Sequence, residues 1–258
     1  MKYLIGIDLG TSATKTVLFD EFGKIISSSS NEYPLYQPHN GWAEQNPQDW
    51  YDAAIETLKK VVSKSGVDAA DIVSLGISGQ MHGLVMLDEN CNVLRPSILW
   101  CDQRTGKECD QLTEMLGREK LIEITANPAL TGFTASKILW VKNNEPEIFE
   151  KCRHILLPKD YLRFRLTGEF ATEVSDASGM QLLDVPNRKW SEVMIDAVGI
   201  KKEYLAKVYE SPEITGYINE DTAKKTGLSV KTSVVGGAGD NAAAAVGMGV
   251  VTEGKAFT

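Results

Sequence analysis

Short apolar runs alternate with tight polar turns at the start of the chain, and the period changes near residue 46. Tyr3-Leu4-Ile5-Gly6-Ile7 is followed by the turn cluster Asp8-Leu9-Gly10-Thr11-Ser12. Thr14 to Phe19 gives a second strand, Asp20-Glu21-Phe22-Gly23 a second turn, and Lys24 to Ser28 a third strand. Three strands on short turns predict an antiparallel meander. Asn46-Pro47 then opens a helix with Pro at its first position. Trp50, Ala53, Ala54, Thr57, Leu58, Val61 and Val62 follow at helical spacing. A buried strand, Ile72 to Ile77, runs into Ser78-Gly79-Gln80-Met81-His82-Gly83, and Leu84 to Leu87 and Ile98 to Trp100 read as further short strands. Residues 104–166 read as mostly helical, with breaks at Pro128, Pro146 and Pro158. A last strand, Lys231 to Val235, passes through Gly236-Gly237-Ala238-Gly239 into an Ala-rich helix from Asp240 to Val246. The pattern predicts an α/β domain, a mixed sheet with helices on its faces. It shows no repeat, linker or internal boundary.

Composition narrows the classes. The 258 residues are 43% hydrophobic and 24% charged, which are globular values. A net charge of −8 argues against a broad phosphate-neutralising surface, so nucleic acid is not an expected partner. No apolar stretch is long enough for a membrane span, and Asp8 interrupts the N-terminal run before a signal sequence can form. Cys91, Cys101, Cys109 and Cys152 have no CxxC spacing, which fits reduced thiols and a cytoplasmic location.

Three tempting motifs fail. Gly249 to Ala256 falls one residue short of a phosphate loop, and Ala256 lacks the hydroxyl that would hold Mg²⁺. Gly237-Ala238-Gly239-Asp240-Asn241-Ala242 fits a dinucleotide turn, but Asp240 puts a carboxylate where the pyrophosphate should sit. Gly76-Ile77-Ser78-Gly79-Gln80 resembles a nucleophile elbow with Gln80 in place of the second glycine. The three histidines are isolated, so no metal cluster is readable.

One constellation survives. Gly10, Thr11 and Ser12 form a turn whose N–H and hydroxyl groups suit phosphate oxygens, and Asp8 suits Mg²⁺ or its waters. The alternative is an ordinary polar hairpin. Asp240, exposed by glycines after a buried strand, suits a base that takes the proton of an attacking hydroxyl; the alternative is an N-cap. Met81 suits an apolar sugar face, and His82 a hydrogen bond donated to a sugar hydroxyl. The alternatives are a core Met and a satisfied surface His. Trp100 and Asp102 are weaker candidates for the same cleft.

Ile7-Asp8-Leu9-Gly10-Thr11-Ser12 resembles the first phosphate motif of the sugar-kinase, actin and heat-shock-chaperone superfamily. Gly41-Trp42-Ala43-Glu44-Gln45-Asn46-Pro47, with Trp50 after it, resembles the FGGY carbohydrate kinases. Ser78-Gly79-Gln80-Met81-His82-Gly83, Leu156-Leu157-Pro158-Lys159-Asp160-Tyr161-Leu162, Leu166-Thr167-Gly168-Glu169 and Gly239-Asp240-Asn241-Ala242 are similar to the xylulose kinases among them. The resemblance covers essentially the whole chain. It implies an RNase H-like domain of the actin and sugar-kinase type and ATP-dependent phosphorylation of D-xylulose to D-xylulose 5-phosphate, with ATP and Mg²⁺ as cofactors. A related kinase for another ketose or polyol, or a non-catalytic sugar-binding module, would share most of the pattern. The resemblance further implies Asp240 as catalytic base and Asp8 as the Mg²⁺-linked carboxylate. Met81, His82, Asp240 and Asn241 would be sugar contacts; Gly10, Thr11, Ser12 and Lys15 would face the nucleotide phosphates. A homodimer is compatible with it. Members are about twice this length and have two domains, so residues 1–258 are expected to be the N-terminal, sugar-binding domain without its nucleotide-binding partner.

Overall fold

A computed structural model describes residues 1–256. Its main sheet is built from β1 (Tyr3–Leu9), β2 (Ala13–Asp20), β3 (Ile25–Glu32), β4 (Ile72–Gly79), β5 (Ile214–Tyr217), β6 (Ser233–Val235) and β7 (Ala238–Gly239). The order is β5-β6-β4-β1-β2-β3, with β7 also pairing with β4. The predicted antiparallel meander is β1-β2-β3. β4 lies parallel to β1, β6 and β7, whereas β5 runs antiparallel to β6. The mixed α/β architecture read from the sequence is therefore the observed one.

The two-residue period of the strands divides the sheet faces. Ile5, Ile7 and Leu9 of β1 are buried, as are Thr14, Thr16 and Leu18 of β2 and Leu75 and Ile77 of β4. Gly6, Asp8, Lys15, Val17, Gly76 and Ser78 line the opposite, open face. Helix α1 (Pro47–Ser65) contributes Trp50, Ala54, Leu58 and Val61 to the core beneath the buried face. Its start follows from Pro47 at the first position and from Asn46, whose side chain accepts the Gln48 N–H; Gly66 ends it at φ 68°.

A second core sits beside the first. Val85 and Leu87 belong to the sheet core, while Leu84 and Met86 belong to a cluster with Leu112, Ile138, Leu139, Leu157, Met180 and Met194. One short strand, Val85–Leu87, thus alternates between two cores, and so the sequence shows no boundary there. Helices α2 (Thr134–Asn144) and α3 (Pro158–Thr167) lie in the segment predicted to be helical. Pro146 and Pro158 begin helices there, because proline lacks only an N–H that a first helical residue leaves unbonded. The strand His154–Leu156, paired with Val85–Leu87, interrupts that segment and is too short to show a period. The strand predicted at Ile98 to Trp100 is reduced to Ser97–Ile98. Among the described residues no helix is long and apolar enough to cross a membrane.

Candidate active site

A groove of about 940 Å³ opens on the uncovered sheet face, lined by Asp8, Lys15, Ser78, Asp240 and Asn241 among others. Register explains the convergence. Asp8 pairs with Lys15 on one side and with Ser78 on the other, and Ser78 pairs with Ala238, two residues before Asp240. The carboxyl ends of three parallel strands therefore bring the two carboxylates to one place, the usual site for ligands in such sheets. The Ser78 hydroxyl donates to Asp8 Oδ1 at 3.0 Å.

Asp240 is the first residue of α4 (Asp240–Gly247), not its N-cap; Gly239 takes that position. Among the described residues its Oδ1 accepts only the adjacent Asn241 N–H, at 2.8 Å. The capping alternative is thereby removed. Burial raises its pKa above the ordinary carboxylate value and the charge of Asp8 adds to this, against the Asn241 hydrogen bond. The preceding turn is closely held. Gly237 sits at φ 72°, and a Cβ there would lie 2.0 Å from the Ile77 carbonyl oxygen. Gly236 O accepts from Arg163 Nη2 at 2.5 Å, and the Gly239 N–H donates to Ser175 Oγ at 3.1 Å. Ser175 in turn donates to Glu173 at 2.9 Å. Beneath the turn, Lys159, Asp160, Arg163, Glu173 and Asp176 form a buried charge cluster.

Met81 and His82 are not among the groove-lining residues. Met81 packs against Gly239, the residue before Asp240, where an added Cβ would meet it at 2.8 Å, and His82 lies against Gly179. His82 has φ 67° and sets Nδ1 2.9 Å from Gly179 O. A carbonyl oxygen only accepts, so Nδ1 carries the proton in this bond. Burial lowers the His82 pKa and keeps the ring neutral at pH 7, which leaves Nε2 an acceptor. In this tautomer Nε2 can accept a hydrogen bond but not donate one, which differs from the donated bond expected from the sequence. Phe133 packs edge-on against this ring, 4.7 Å between centroids. Asp102 leaves the cleft. It is fully buried, accepts the Ala43 N–H at 2.6 Å, and is bound by Arg104. Trp100 stays exposed, its Nε1 donating to Thr11 Oγ1 at 2.9 Å.

The Gly10–Ser12 turn is braced through its carbonyls. Gly10 O accepts from the Tyr33 hydroxyl, Thr11 O from Gln45 Nε2 at 2.7 Å, and Ser12 O from the Tyr33 N–H at 3.3 Å. Within the described residues the Thr11 and Ser12 N–H groups donate to no partner. Gln45 Oε1 accepts from Trp50 Nε1 and from Gln80 Nε2, both at 3.0 Å. Nothing in the residue pattern signals this hub, because a glutamine's burial is not encoded in its own spacing. No three-residue His/Cys/Asp/Glu group that could cage a metal occurs among the described residues. Mg²⁺ does not need one: it keeps several waters and takes one or two carboxylates plus substrate phosphates, which the exposed Asp8 beside Asp240 suits.

The N-terminal domain of the FGGY family of carbohydrate kinases matches residues 3–247. The chain belongs to this family. It is 48% identical over 255 residues to a xylulose kinase of Bacillus subtilis, covering 99% of this chain and 51% of that protein. To a xylulose kinase of Escherichia coli it is 44% identical over 253 residues, covering 98% and 51%. The chain thus spans about half the length of these relatives. The crystal structure of ligand-bound xylulose kinase from Lactobacillus acidophilus superposes with a TM-score of 0.91 at 31% identity, covering 96% of this chain and 50% of that one. The xylulose kinase from Rhodospirillum rubrum gives 0.94 at 27% identity, covering 98% and 52%.

Proposed function

We propose that this FGGY domain binds D-xylulose, and that together with the second half its relatives possess it transfers the γ-phosphoryl group of ATP to the sugar, giving D-xylulose 5-phosphate. The observation that carries the reading is Asp240: half-buried after a glycine turn, outside the N-cap position, raised in pKa, and sharing the groove with Asp8. Asp240 takes the proton of the sugar hydroxyl as its oxygen attacks phosphorus. Asn241, Met81 and the His82 Nε2 acceptor orient the sugar. The unbonded N–H groups of Thr11 and Ser12, with Lys15, receive phosphate oxygens. Asp8 would hold Mg²⁺, which when bound neutralises phosphate charge. The chain itself positions the hydroxyl, accepts its proton and anchors the transferred group.

Calorimetric titration of the chain with xylulose tests the sugar half of this reading, and ATP-dependent phosphorylation by the two-domain enzyme tests the rest. Saturable xylulose binding supports it; no binding of xylulose overturns it. Gluconate is the informative competitor, because a gluconate kinase from Lactobacillus acidophilus shares the fold at a TM-score of 0.87 and 32% identity. Tighter binding of gluconate than of xylulose would move the substrate assignment to a different sugar.

A further inference from the structure

Lys137, on α2, is completely buried and has no carboxylate within ion-pair distance among the described residues. Its ammonium instead donates to two main-chain carbonyls, His82 O at 2.9 Å and Gly132 O at 2.5 Å. The hydroxyl of Thr134, one turn earlier on the same helix, also donates to His82 O, at 3.0 Å. These bonds join two loops that meet at one ring. His82 belongs to the first, at the strained φ of 67°, and Phe133, packed on the His82 imidazole, follows Gly132 in the second. An unpaired cation removed from water opposes folding, so structural need is a poor account of this lysine.

We propose that Lys137 is a positioning residue for the sugar site: it acts through the His82 carbonyl, fixing the imidazole against Gly179 and drawing the Gly132–Phe133 wall to the same point. The proposal rests on the reading of His82 as a sugar contact. It makes no contact with sugar itself, since no part of it reaches the surface. The groups facing Lys137 are Cys101, Asp102 and Arg104 on the preceding loop, Cys109 on the 106–116 helix, and His82. Desolvation brings the Lys137 pKa down to about 7, with Asp102 opposing. Burial raises both facing cysteines above their ordinary value and lowers His82. The Lys137 ammonium therefore titrates close to neutrality. As it loses its proton, its bonds to the two carbonyls lose their charge assistance.

Lys137→Met tests the proposal on three measurements: xylulose affinity by calorimetry, thermal melting, and NMR titration of the His82 ring. Only three histidines need to be assigned. The expected result is an affinity loss of about tenfold, the size of one lost hydrogen bond. Melting temperature should not fall, and the His82 pKa should rise because a neighbouring positive charge is gone. Unchanged xylulose affinity in a folded Lys137→Met overturns the proposal. If the variant does not fold, the wild-type chain decides: xylulose affinity must weaken as pH rises through about 7, and a flat profile there overturns the proposal. Failure of the wild type to bind xylulose at any pH is a different result; it removes the sugar-site reading, and this proposal falls with it.

Discussion

Gln45 donates from Nε2 to the carbonyl oxygen of Thr11 across 2.7 Å. This bond ties the segment leading into α1 to the Gly10–Ser12 turn, and the same amide's oxygen accepts from Trp50 and Gln80. One buried side chain thereby fixes the turn, the helix and the loop that leads to Met81. The Gly41–Pro47 segment that carries the family resemblance acts as a brace outside the groove rather than as a ligand contact.

Gln45→Leu should therefore destabilise the fold and loosen the turn together. It strands the indole N–H of Trp50 and the amide of Gln80, each a buried donor whose loss of partner costs about 1–3 kcal/mol. Urea unfolding of the chain measures this. Unchanged stability would show that the network contributes nothing.

His82 supplies the second expectation. Protonation turns Nε2 from acceptor into donor, so xylulose affinity should fall as pH drops through the His82 pKa, which lies below 6.5. His82→Ala should raise the sugar KM about tenfold and leave the ATP KM unchanged. Gly179→Ala should do the same from a distance, because the added Cβ would fall 2.3 Å from Nδ1 and displace the ring. Steady-state kinetics of the two-domain enzyme at several pH values separate these effects. A sugar KM independent of all three changes would return His82 to a purely structural role.

The legible parts of the sequence were those with local causes. Asp8 to Ser12 was readable because a turn between two apolar strands is a short-range pattern, and Asp240 because glycines announce an exposed residue. His154–Leu156 was not readable: three residues cannot display a period of two, and Pro158 beside them begins a helix. The functions of Gln45, Ser175 and Lys137 rest on partners 34 to 64 positions away. No periodicity records such pairings. Lys137 in particular looks like a solvated helix lysine until the packing of two loops over it is known. Asp102 was misplaced for the related reason that its partner Arg104 turns it inward, where Ala43 and Arg104 satisfy it.

Asp176 gives the third expectation, in stability. Burial first, with Asp160 and Glu173 adding, raises its pKa from 3.8 to about 8, although Lys159 opposes this. A carboxyl whose pKa is higher in the folded state favours folding while protonated. Its contribution is full below about pH 4 and is lost as pH rises through about 8. Lys137, with its lowered pKa, acts in the opposite direction over a higher range. The difference between wild type and Asp176→Asn cancels such distant groups. Asn keeps a neutral side chain at every pH, so the variant should gain on the wild type as pH rises from about 4 to about 8 and hold that gain above it. Unfolding free energies measured across that range check it, and a constant difference would mean that Asp176 does not titrate there.

Asp240→Asn tests the reaction itself. The substitution keeps the volume and the polar oxygen that accepts the Asn241 N–H, while removing the proton acceptor. Because Asp240 caps nothing and sits at the first helical position, no stability argument predicts a large change in melting temperature. It also relieves the repulsion from Asp8 that helps raise the Asp240 pKa, so the variant should melt no lower than the wild type. In the two-domain enzyme kcat should fall by about 10²–10⁴-fold, the range for a general base. The wild-type kcat/KM should decline on the acid side with an inflection above the ordinary carboxylate value, since a protonated Asp240 cannot take the hydroxyl proton. That limb should vanish in the variant. Sugar affinity should fall only modestly, because the amide oxygen still accepts a hydrogen bond from the hydroxyl. Near-wild-type turnover in a stably folded Asp240→Asn would leave the groove with a bound sugar and no base, and phosphoryl transfer would need another acceptor than the one this fold exposes.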